Sequence, residues 1–182
     1  MPAPLLVSFL AGAEGAWRID RIAGIRGGSL PLADRLAVIE GSAPLAQGAW
    51  ALRGVTSNTR YASRAETEAL GAVQQGLARP EASRAALIPI RKNAAWWALA
   101  QDERRAILEE QSRHIGIGLE YLPAIARRLH HGRDLGEPFD FLTWFEYAPE
   151  HAPAFEALVH RLRATEEWRY VEREVDIRLS RA

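Results

Sequence analysis

The first half of the chain is patterned in short apolar runs broken by glycine and proline, which predicts strands. Residues 4–10 form one such run, bounded by Pro4 and Gly12, and residues 15–23 carry Trp17, Ile19 and Ile22 ahead of glycines at 24, 27 and 28. The run 36–39 ends at Gly41, and 49–55 supplies a partner for it. The period then changes: Thr67, Leu70, Val73 and Leu77 recur at helical spacing across 63–77, and Pro80 ends the segment. Residues 85–90 return to a strand pattern, with Pro89 suiting an edge or a bend. In the second half a helix is predicted over 101–115, with Asp102 and Glu103 at its positive end and Gly116 and Gly118 stopping it. Segment 124–131 has little room for a helix between Pro123 and Gly132. It reads instead as one arm of a hairpin through 132–138, whose other arm alternates Phe139, Phe141, Thr143 and Phe145. A helix over 149–164 places Phe155, Leu158 and Leu162 on one face, and 170–179 alternates apolar and charged residues as a half-exposed closing strand.

Strands, helix, strand, then helix, hairpin, helix, strand indicate an α+β protein with helices packed on antiparallel sheet. Two ferredoxin-like halves, 1–91 and 92–182, fit that order as one compact unit. The 182 residues, 48% of them hydrophobic and 25% charged, suit a soluble globular chain of this size. Charge narrows the function classes: 23 Lys+Arg balance 23 Asp+Glu, and no polybasic arm is present, so nucleic acid is not an expected partner. The apolar N-terminus lacks a basic lead-in before Arg18 and is broken by Ser8, so it reads as a first strand rather than a secretion signal. No window reaches the ~20 apolar residues of a membrane span, and a cytoplasmic location is expected.

The absence of cysteine excludes disulfides, zinc–thiolate sites and iron–sulfur ligation, leaving His, Tyr, Asp or Glu to hold any metal. Of five histidines, His130 and His131 are adjacent and face opposite sides of a strand, and His151 and His160 fit a solvated helix face. His114 differs. It ends the 101–115 segment on the face of Ile107 and Gln111 with glycines behind it, which suits an imidazole set against a flat cofactor as well as a helix-capping histidine. An inward-facing arginine on the 124–131 strand would need an anion to meet, since its guanidinium stays charged; Arg127 and Arg128 face opposite ways, and the pattern leaves open which points in. Trp96-Trp97 follows Lys92, the only lysine, and Glu166-Glu167-Trp168 lies between the last helix and the closing strand, where a carboxylate can orient an axial histidine.

Together these segments resemble one family. The stretch Arg91-Lys-Asn-Ala-Ala-Trp-Trp97, the run from Arg104 to Gly116, the run from Tyr121 to Gly136, and Pro138-Phe-Asp-Phe-Leu-Thr-Trp-Phe-Glu-Tyr147 are similar to chlorite dismutases. The similarity is strongest from Lys92 to Trp168, and the chain's length resembles the short, dimeric branch. The resemblance implies an α+β barrel of two ferredoxin-like halves, a homodimer, and haem b with His114 as axial iron ligand. Glu167 would hydrogen-bond His114, with Lys92 in the same network. Trp96 and Trp97 would line the haem pocket, Arg127 would be the catalytic distal arginine, and Gln74 the distal glutamine. The activity implied is conversion of chlorite to chloride and dioxygen through a ferryl intermediate and transient hypochlorite. The resemblance extends to coproheme decarboxylases of haem synthesis, which lack the distal arginine and use a redox-active tyrosine; Arg127 favours chlorite chemistry over them. A non-enzymatic haem-binding module is the other alternative.

Overall fold

The structure is a computed structural model and describes residues 3–56, 61–73 and 76–181. Eight strands close into one antiparallel barrel in the order β1-β3-β2-β8-β5-β7-β6-β4. The first half supplies β1 (Leu6–Gly12), β2 (Trp17–Arg26), β3 (Arg35–Glu40) and β4 (Trp50–Val55), then helix α1 (Arg64–Val73) and β5 (Arg84–Lys92). The second half runs α2 (Ala94–Ala98), α3 (Gln101–Arg105), a π-helical turn (Ala106–Gln111), α4 (His114–Glu120), β6 (Ile125–His131), β7 (Phe141–Tyr147), α5 (Ala152–Arg163) and β8 (Val171–Arg181). Each strand the sequence pattern predicts is present, to within a few residues, and the 132–138 hairpin joins β6 to β7 in register from Ile125↔Tyr147 to His131↔Phe141. Among the described residues, no helix is long and apolar enough to cross a membrane.

The period-2 rule explains how one sheet serves two cores. Side chains on one face of the strands fill the barrel: Phe9, Leu36, Leu52, Leu87, Trp144, Ile177 and Leu179 are buried there, each large side chain contributing about 1.5–3 kcal/mol. The alternate residues of β5 and β7, such as Ile88, Ile90 and Phe145, face outward and meet α4 and α5, where Ile117, Phe155, Leu158, Val159 and Leu162 form a second core. Close backbone approach requires glycine near the first strands. Gly15, at φ +148°, lies so near the Leu36 carbonyl that a Cβ would sit 2.3 Å from it.

One expectation is corrected. The helix predicted over 101–115 does not continue to His114. After α3 and the π-helical turn, Arg113 adopts a left-handed conformation (φ 53°), and His114 opens α4, which runs through Gly116 and Gly118. Glycine lowers helix propensity by only about 1 kcal/mol, and the buried faces of Ile115 and Ile117 outweigh that here.

Candidate functional site

Alternation on three neighbouring strands decides what the helices cover. On β6, Arg127, Leu129 and His131 share the outward face; on β7, Phe141, Thr143 and Phe145 do. Together with Trp96, His114, Ile115, Glu167 and Trp168 they line a cavity of about 110 Å³ that opens to solvent. A smaller extension shares His114, Arg127, Phe145 and Leu162 and is bordered by Gly118, where a Cβ would meet nothing within 4 Å.

The strand pattern left two arginines open, and the structure separates them. Arg127 faces the cavity; burial lowers its proton affinity, yet a guanidinium this basic stays charged. Arg128 points the other way, donating Nε to His130 Nε2 at 2.9 Å and Nη1 to Glu40 at 2.7 Å.

His114 is held by a buried chain of charges. Its Nδ1 lies 2.6 Å from Glu167 Oε2, and Lys92 Nζ donates to Glu167 Oε1 at 2.8 Å. The Lys92 and Glu167 side chains are only 3% and 5% exposed. Burial pushes the Glu167 carboxyl upward, but the His114 ring and the Lys92 ammonium, through charge and hydrogen bonds, outweigh it and hold the group at about 2. An ionised carboxylate only accepts, so His114 donates from Nδ1, and in the neutral tautomer this bond selects the lone pair lies on Nε2. A neutral imidazole made electron-rich by a carboxylate is the usual form of a histidine metal ligand. The Lys92 ammonium also lies 4.3 Å from the Trp96 ring and 5.7 Å from Trp168, while the Trp168 ring stacks on His114 at 6.4 Å. Of the two candidate glutamates, Glu166 instead pairs with Arg169 at 3.0 Å.

Trp96 and Trp97 separate for a helical reason: successive residues on α2 point about 100° apart. Trp96, fully buried, lines the cavity. Its indole Nε1 has no hydrogen-bond acceptor among the described residues. Trp97 does not line the cavity; it stacks on Phe141 at 6.1 Å and donates Nε1 to Asp140 at 3.2 Å. Gln74 lies outside the described residues. His131 and Trp168, both buried cavity residues, carried no individual signal in sequence. The alternation that predicted β7 placed Phe141, Thr143 and Phe145 on one face without showing what that face would meet.

Comparison with known proteins settles the family. The family model described as chlorite dismutase matches residues 38–182. The chain belongs to the chlorite dismutase family. A crystal structure of dimeric chlorite dismutases from Nitrobacter winogradskyi is 63% identical, covering 97% of this chain and 99% of that one at a TM-score of 0.91. A chlorite dismutase of Ideonella dechloratans is 35% identical over 101 residues, which is 52% of this chain and only 33% of that longer protein. A chlorite dismutase variant from Candidatus Nitrospira defluvii, 21% identical over 98% of this chain and 91% of that one, shares the fold at a TM-score of 0.65.

Proposed function

We propose that this member of the chlorite dismutase family is a haem b enzyme that converts chlorite to chloride and dioxygen, acting as a homodimer. What carries the reading is that one cavity is lined both by His114, its Nδ1 held by ionised Glu167, and by the charged Arg127. We read the halves 1–91 and 92–182 as ferredoxin-like units of the barrel. The 63% identical relative, described as dimeric, supports the homodimer.

The residues present fit haem. His114 keeps Nε2 for iron while Glu167 fixes the ring's tautomer and orientation. Open space beside Gly118 accommodates a macrocycle edge, and the Trp96 Nε1–H, buried without an acceptor, suits a carboxylate at the haem periphery. Aromatic and aliphatic walls from β5, β6 and β7 suit the porphyrin face.

When bound, haem would supply the redox chemistry that moves oxygen off chlorine and pairs it as dioxygen. The chain's own residues do the rest. Arg127, charged at all accessible pH values and facing the cavity, draws the small anion into it. It then keeps the hypochlorite-level anion there between loss of one oxygen and formation of the O–O bond, a retention that apolar walls alone cannot provide. Glu167, anchored by Lys92 and by its own backbone N–H to the Ser112 hydroxyl at 2.9 Å, holds the proton on His114 Nδ1 in place.

The direct test of the site is His114→Ala. Purified with added haem, it is expected to lose the Soret band that the wild-type protein shows. A normal band in the variant removes His114 as the ligand. Loss of propionates from iron coproporphyrin in the presence of peroxide would assign the chain to haem synthesis instead.

A further inference from the structure

We infer that Glu109 is a positioning residue for His114, acting through the backbone on both sides of it; the inference rests on the reading of His114 as the haem ligand. Glu109 lies in the π-helical turn Ala106–Gln111, before the chain breaks helix. Its carboxylate spans two amides at the start of α4, accepting from Ile115 N–H at 2.7 Å through Oε2 and from Gly116 N–H at 3.2 Å through Oε1. Its backbone carbonyl accepts from Arg113 N–H at 2.9 Å. One residue thereby tethers the neighbours of His114 in both directions.

The local geometry explains the need. Arg113 is left-handed, a conformation that costs a non-glycine residue about 1 kcal/mol or more and persists only where the surroundings impose it. That residue turns the chain so that His114 becomes the first residue of α4, where the amides of the opening turn have no partners in their own helix. A short helix begun this way is free to fray, and fraying would carry the imidazole with it. Glu109 supplies the missing acceptors from the preceding element. π-Helical turns are often found at functional sites, and here the turn holds the side chain that clamps α4.

The clamp has a chemical requirement that packing does not. Each amide here meets its own carboxylate oxygen, and a carboxamide places an oxygen in only one of those two positions. Glu109→Gln therefore keeps the size of the side chain but turns an NH₂ group toward one of the amides. If Glu109 merely filled space, the glutamine would restore wild-type behaviour.

The test combines two readouts on the purified full chain, with Glu109→Gln and Glu109→Ala. Amide hydrogen exchange is expected to accelerate at least about tenfold at both Ile115 and Gly116 in Glu109→Ala and at no fewer than one of them in Glu109→Gln, as loss of a charged hydrogen-bond partner implies. Haem transfer from the loaded protein to excess apomyoglobin is expected to quicken, and the iron–imidazole stretching band in resonance Raman to broaden or shift, while exchange in the barrel strands stays unchanged. Unchanged exchange at both amides overturns the clamp. Faster exchange with unaltered haem transfer and an unaltered Raman band overturns the positioning role while leaving His114 as ligand. His114→Ala, run alongside, separates the two ideas: a wild-type Soret band in that variant overturns the ligand assignment, and the positioning role with it, whatever the exchange data show of the clamp.

Discussion

Glu167→Ala isolates the buried charge chain behind His114, and its cost can be worked from the geometry. Lys92 and Glu167 meet at 2.8 Å with side chains 3% and 5% exposed, so deleting the carboxylate strands an ammonium out of water. Removing one partner of such a pair costs about 3–5 kcal/mol. The expected loss is therefore about 3–5 kcal/mol, a large share of the ~5–15 kcal/mol that keeps a typical domain folded. Urea unfolding at pH 7 and fixed protein concentration, followed by tryptophan fluorescence, measures it as a lower midpoint with an unchanged slope. The decisive comparison is the double variant Lys92→Met/Glu167→Gln, which removes both charges and is expected to recover at least half of the loss, because no ion remains unpaired. A single variant within about 0.5 kcal/mol of wild type, or a double variant as unstable as the two single losses added, would refute the reasoning.

His130 carries an acid-sensitive part of the stability. Burial, with Arg128 and His131 adding to it, moves its pKa from 6.5 down to about 4 against the opposing pull of the Leu142 carbonyl and Glu40. Below pH 6.5 the unfolded chain takes up the proton more readily than the folded one, so stability present above 6.5 is lost as pH falls toward 4, by about 3 kcal/mol. Urea midpoints between these pH values should fall more steeply for wild type than for His130→Leu; parallel curves would contradict it. Gly118→Leu should stabilise the haem-free chain by up to about 1 kcal/mol through helix propensity while weakening haem binding, because the side chain enters the space beside His114. Titration of both proteins with haem checks it, and equal affinities would show that this space is not used.

Much of the fold was legible because one face of each strand is buried against a core. Short apolar runs around Phe9, Leu52 and Leu87 and the stripe Phe155–Leu158–Leu162 identify strands and helix without reference to partners. The helix error at 106–114 has a local cause. A left-handed arginine has no sequence marker, whereas the glycines at 116 and 118 look like a stop signal, and tertiary packing overrode it. The candidate site was legible as far as unusual residue types went: the lone Lys92, the histidine before a glycine-spaced segment, and the paired tryptophans. Glu109 was not, because its carboxylate reaches out of one helical element into the next and leaves no spacing rule to find. Trp97 was placed in the pocket by the family resemblance, whereas on α2 it turns away from the wall that Trp96 lines and stacks on Phe141.

The central claim, that this cavity turns chlorite into dioxygen under the control of Arg127, is tested most directly by an oxygen-electrode trace. Chlorite is added to haem-loaded wild type and to Arg127→Ala, with a hypochlorite trap present. Wild type is expected to release close to one dioxygen per chlorite with little trapped hypochlorite; the variant, still carrying haem, should turn over more slowly and leak more of it. No oxygen from fully haem-loaded wild type, or a variant with unchanged rate and no additional trapped hypochlorite, would contradict the account.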